Sequence, residues 1–125
     1  IIAEASIDTP AEYMLEMYNE YLERRKFLID GLNRISGVYS PIPMGAFYTV
    51  ARLPVDDADK FCAWLLSDFD YEGSTVMLAP GSGFYTIEGM GKNEVRIAYV
   101  LEKEDLKKAL VVLEKALQAY PGKTI

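Results

Sequence analysis

The sequence predicts an α+β fold, a small and largely antiparallel sheet with helices packed against it, in the order α-β-β-α-β-β-α. Three observations carry that prediction. Apolar residues recur at helical spacing in three separate runs, short stretches rich in aromatic and β-branched residues lie between them, and proline or glycine clusters separate the two kinds. The chain has 125 residues, half of them hydrophobic, which suits a single domain, 1–125, with a real core.

Ile1 to Ser6 reads as the tail of an earlier element, and without an initiator Met the chain is expected to be a piece of a longer protein. Thr9-Pro10-Ala11-Glu12 then combines a hydroxyl at the N-cap, a proline at the first helical position and a glutamate at N3, a capping box. The helix that follows carries Met14, Leu15, Tyr18, Leu22, Leu28, Ile29 and Leu32 on its apolar stripe, with acidic residues early and Arg24, Arg25 and Lys26 later, as the helix dipole favours. Ser36-Gly37 stops it. A helix from Pro10 to about Asn33 is roughly 36 Å long.

Val38 to Ser40 is a short strand candidate, Pro41 to Gly45 a proline-fixed turn, and Ala46 to Leu53 a second strand, so a hairpin is expected. Asp56 or Asp57 caps the next helix, whose apolar face is Ala58, Phe61, Cys62, Leu65, Leu66 and Phe69, with Trp64 on its flank. Thr75 to Ala79 is a brief strand, Pro80 to Asn93 a glycine-rich loop, and Glu94 to Leu101 a further strand. Leu106, Leu110, Leu113, Leu117 and Tyr120 mark a final helix that Pro121-Gly122 ends.

Composition closes several function classes. With 19 acidic and 13 basic side chains the formal net charge is −6, which speaks against sequence-independent binding to nucleic acid or to an anionic membrane. Cys62 is the only cysteine, so no disulfide framework forms, and its apolar surroundings make it a core residue. No apolar run reaches the ~18 residues needed to span a bilayer and no secretory signal opens the chain, so a cytoplasmic location is expected. Histidine is absent, which removes histidine-based triads and histidine-ligated metals.

The residues with chemical potential are few. Gly81-Ser82-Gly83-Phe84 fails the dinucleotide spacing, lacks the P-loop lysine and leads toward a strand, so these glycines read as turn devices and not as a phosphate cradle. The carboxylates of Asp56, Asp57 and Asp59, and of Glu102, Glu104 and Asp105, stand at helix starts, where capping and the dipole explain them, and no metal site is assigned. Phe47-Tyr48, Phe84-Tyr85 and Tyr99 have no basic stripe beside them and read as core or pocket wall. Arg96 stands apart, a charge at the centre of an apolar strand. Val95, Ile97, Tyr99 and Leu101 share one face of that strand, and Glu94, Arg96, Ala98 and Val100 the other. Arg96 either forms an ordinary ion pair, for example with Glu94, or presents its planar fork to a substrate carboxylate. Spacing does not choose between them.

Three stretches in order, Pro43-Met44-Gly45-Ala46-Phe47-Tyr48, Ala79-Pro80-Gly81-Ser82-Gly83-Phe84 and Gly91-Lys92-Asn93-Glu94-Val95-Arg96-Ile97-Ala98-Tyr99, resemble the C-terminal part of class I/II aminotransferases, the aspartate aminotransferase family of fold-type I pyridoxal-phosphate enzymes. The resemblance spans nearly the whole chain and looks closest to the aspartate-type branch. It implies the fold of the small domain of those enzymes and a ping-pong transfer of an amino group from an amino acid to a 2-oxo acid. It also implies that Arg96 binds the substrate α-carboxylate, with Gly45 and Phe47 on the pocket wall.

The family's Schiff-base lysine sits in a serine-rich context that none of Lys26, Lys60 or Lys92 shares. The resemblance therefore implies a small domain without the large, cofactor-binding one, hence no catalytic or cofactor-binding residue within the chain. Pyridoxal phosphate would belong to the full-length enzyme and not bind the isolated piece, which would be inactive. The implied partners are the large domain of the same protein and a second copy in a homodimer. A stand-alone amino-acid-binding module of the ACT-like kind is the alternative, although its usual order opens with a strand where this chain opens with a helix.

Overall fold

The computed structural model describes residues 2–125. Four α-helices, α1 (Ile2–Ile7), α2 (Ala11–Leu32), α3 (Ala58–Ser67) and α4 (Lys103–Ala119), accompany three strands, β1 (Tyr48–Arg52), β2 (Ala79–Pro80) and β3 (Glu94–Ala98), and a 3₁₀ turn at Ser82–Phe84. The strands form one antiparallel sheet in the order β1-β3-β2. The α+β class and the antiparallel sheet are those expected from the sequence.

The core lies where the C-terminal half of α2, the inner face of the sheet, α3 and α4 meet. Leu28, Leu32, Ala51, Leu53, Phe61, Leu65, Val95, Tyr99, Leu113 and Ala116 are all buried there. Each large side chain among them contributes roughly 1.5–3 kcal/mol through removal from water. Cys62 joins them, as its apolar surroundings predict. On α3 the stacked rings of Phe61 and Trp64, 6.2 Å apart, meet Tyr120 at the end of α4.

Several local expectations are corrected. Of the segment Ile1–Ser6, read in the sequence as the tail of an earlier element, Ile1 lies outside the described residues and the rest belongs to the helix α1, Ile2–Ile7. The capping box at Thr9 does not form: Pro10 takes the N-cap position, and its ring carries no acceptor, so α2 starts without a side-chain cap. Thr9 is instead turned back, its N–H donating to Ser6 O at 3.3 Å.

Val38–Ser40 does not become a full strand. Only Tyr39 pairs, with Arg52, because the backbone of Ser40 is taken by Asn33, which accepts from its N–H at 2.8 Å and donates to its carbonyl at 2.9 Å. Pro41 follows and has no N–H to give. Of Thr75–Ala79 only Ala79 joins the sheet, continuing into Pro80. Thr75 Oγ1 is drawn to Leu65 O at 2.6 Å, while Val76 and Leu78 pack toward the core, so the segment leaves the edge of β3. β3 itself ends at Ala98, and Leu101, expected to share the face of Val95 and Tyr99, is exposed, as is Leu66 on α3. Leu66 lies one helical step, about 100°, off the buried Leu65 and so falls on the flank.

Candidate functional site

Arg96 occupies the middle strand and faces outward. Its backbone neighbours are Val50 on β1 and Ala79 on β2, while the residues on either side of it, Val95 and Ile97, turn toward the core. Among the described residues no carboxylate forms a salt bridge with Arg96. Glu94, the nearest acid in sequence on the same face, accepts a hydrogen bond from Tyr85 Oη at 2.6 Å instead. That bond, with some burial and the Glu94 charge, raises the Tyr85 pKa.

Two aromatic rings do meet the guanidinium. Its Cζ lies 5.3 Å from the centroid of Tyr48 and 4.9 Å from that of Phe84. The register explains the first contact, since pairing Tyr48 with Ala98 and Val50 with Arg96 makes Tyr48 a diagonal neighbour of Arg96. The second is set by the loop after β2. Gly81 N–H donates to Glu94 O at 2.7 Å, an approach so close that a Cβ on Gly81 would stand 2.8 Å from that oxygen. Ser82 Oγ donates to Asp59 Oδ2 at 2.6 Å and ties the loop to α3. All three sequence stretches that resemble the aminotransferases thus converge on Arg96.

Gly45 and Phe47 lie on a different surface. They line an open groove of about 530 Å³ with Met14, Met17, Tyr18 and Arg25 of α2. Phe47 links this groove to the arginine, its ring meeting that of Tyr48 edge-on at 5.8 Å and 85°. The turn between them is built on Ala46, whose φ is 60°, while Gly45 shows no positive φ. A non-glycine residue in that region costs about 1–3 kcal/mol. Tyr99 Oη holds the turn by donating to Ala46 O at 2.8 Å, and Arg25 donates to Pro43 O at 3.0 Å.

The remaining candidates are structural. Asp57 caps α3 by accepting from Lys60 N–H at 3.1 Å, Asp56 accepts from Tyr120 Oη at 3.2 Å, and no cluster of metal-binding side chains occurs among the described residues. Burial, and then the charge of Asp59, pushes the Cys62 thiol up to about 11, so it is neutral near pH 7. Sequence reasoning missed the pairing of Arg96 with Tyr48 and Phe84. Alternation along β1 could have placed Tyr48 on that face, but nothing local reports where a loop residue such as Phe84 will lie.

The family model for aminotransferase class I and II matches residues 1–113. The chain belongs to the class I and II aminotransferase family. It is 37% identical over 105 residues to an aspartate aminotransferase of Pyrococcus horikoshii, a match covering 82% of this chain and 25% of that protein. It is 31% identical over 103 residues to an LL-diaminopimelate aminotransferase of Syntrophobacter fumaroxidans, covering 82% of this chain and 24% of that one. Among solved structures, an alanine aminotransferase from Pyrococcus furiosus superimposes with a TM-score of 0.75 at 26% identity, over 93% of this chain and 28% of that chain. The chain spans about a quarter of the length of the curated relatives it matches.

Pyridoxal phosphate serves this family in general, but the residues described do not fit it. Every lysine, from Lys26 to Lys123, is exposed, and Lys26 and Lys103 are paired with Asp30 and Glu23. The loop after β2 offers no phosphate cradle either, since the N–H groups of Gly81, Phe84 and Tyr85 are spent on Glu94, Gly81 and Ser82 carbonyls. No helix among the described residues is long and apolar enough to cross a membrane.

Proposed function

We propose that this chain is the C-terminal small domain of a longer aminotransferase of the aspartate type, and that Arg96 receives the α-carboxylate of its amino-acid and 2-oxo-acid substrates. One observation carries the reading: a guanidinium on the outer face of the sheet, without an acidic partner among the described residues, held between two rings. Its donors match the two oxygens of a carboxylate, and two parallel charge-assisted hydrogen bonds fix orientation as well as position. Arg96 would set the angle of the substrate.

In this reading the lysine that bonds the cofactor and the groups that hold its phosphate lie in the large domain, and the full-length protein is a homodimer. The aspartate-type assignment is supported by the names of several relatives, among them enzymes of Pyrococcus horikoshii and Rhizobium meliloti. The substrate side chain would be read mostly by residues of the large domain.

Arg96→Lys in the full-length protein is expected to lower kcat/KM for every amino-acid substrate, whatever its side chain, by an amount equivalent to about 2–4 kcal/mol of transition-state stabilisation. Unchanged kinetics would make Arg96 an ordinary surface charge. The chain by itself, mixed with pyridoxal phosphate, should give no stoichiometric adduct that borohydride reduces. Such an adduct would show that a lysine within the chain holds the cofactor.

A further inference from the structure

We propose that Tyr48 and Phe84 are positioning residues that hold the Arg96 guanidinium ready for a carboxylate while leaving its hydrogen-bond donors free. The inference rests on the reading of Arg96 as the carboxylate receptor. An arginine can be fixed by an acidic neighbour, but that neighbour occupies the same N–H groups a substrate needs. Aromatic faces attract the cation without consuming those donors, and a planar guanidinium stacks on them well.

The surroundings of Arg96 meet both halves of that requirement. Tyr48 approaches from β1 and Phe84 from the loop after β2, the two flanks of the middle strand, at 5.3 and 4.9 Å. Meanwhile Glu94, the acid two residues away on the same face, is engaged by the hydroxyl of Tyr85. The rings are not there to fill the core: Tyr48 is 38% exposed and Phe84 55%. Each is nevertheless held in place, Tyr48 by the edge of Phe47 and Phe84 by the loop's ties to Asp59 and Glu94.

The test is steady-state kinetics of the full-length protein carrying Phe84→Leu, Tyr48→Leu, Phe84→Tyr, Arg96→Lys, or Arg96→Lys with Phe84→Leu. Each leucine variant should raise KM for amino acid and 2-oxo acid alike, by roughly five- to tenfold, with kcat within about twofold and the melting temperature unchanged. Phe84→Tyr should recover most of that affinity, and Phe84→Leu should add little once Arg96 is lysine. If Arg96→Lys is impaired but both leucine variants keep their KM, the rings do not position the arginine, although the reading of Arg96 stands. If Arg96→Lys is also unaffected, that reading fails as well. A leucine variant that loses kcat at constant KM, or a loss that Phe84→Tyr does not repair, would overturn the positioning role.

Discussion

The two halves of α2 are both apolar in sequence, yet only one is covered. Toward the C-terminus Leu28, Ile29 and Leu32 are buried beneath α4 and the sheet, whereas Tyr13, Met14, Leu15, Met17 and Tyr18 are each at least 40% exposed. β3 divides in the same way, with Val95 inside and Arg96 outside. The molecule therefore has packed faces that set its stability and open surfaces, one apolar and one carrying Arg96, that lie outside its own core. Clustered exposed apolar residues of this kind mark a surface that meets something else. In the proposed reading that something is the large domain together with the substrate.

The sharpest way to break this division is to truncate a buried side chain just after β3 and an outward one within it. Tyr99→Ala empties a fully buried site and releases the Ala46 turn, and should destabilise the chain by about 3–5 kcal/mol in urea denaturation. Arg96→Ala, three residues away on an open face, should change the same stability by less than about 0.5 kcal/mol. Equal losses would mean that β3 has no functional face distinct from its structural one.

Alkaline pH probes the packed side with a smaller effect. Burial, and then the neighbouring Asp56 charge, pushes the Tyr120 phenol from 10.0 up to about 12, and burial pushes Cys62 from 9.0 to about 11. Both groups are acids whose neutral form the folded state favours. Their contribution is complete below the unfolded values and is lost as pH rises through the folded ones, so stability should fall between about pH 9 and pH 12. Tyr120→Phe should flatten the upper part of that fall, and a wild-type profile flat to pH 12 would contradict it.

What the sequence made legible follows the same division. Helical periodicity located α2, α3 and α4, and alternation set Val95 and Tyr99 on the face opposite Arg96, because these elements are stabilised by burying one face. Where polar side chains compete for the backbone the reading failed: Asn33 takes the groups of Ser40 that a ladder would have used, and Thr75 turns to Leu65. The candidate site was legible as one residue and three motifs. Its geometry was not, since the approach of Phe84 depends on a loop tied to α3 and to β3 at points far apart in sequence.

Helix caps supply the smallest and most local comparison. Asp57 at the start of α3 accepts from Lys60 N–H, and behind it the first turn leads directly into Ala58, Phe61 and Cys62 of the core. Thr9 at the start of α2 has the more complete motif on paper, hydroxyl, proline and glutamate in order, but α1 ends beside it and Pro10 takes the capping position. Asp57→Ala should therefore cost about 1 kcal/mol, the usual worth of a formed cap, while Thr9→Ala should lower stability to denaturant by less than about 0.5 kcal/mol. A loss at Thr9 as large as that at Asp57 would show that the cap forms in solution. The open end of α2 would then be held by its own sequence, and the contrast between the two halves of the helix would rest on burial alone.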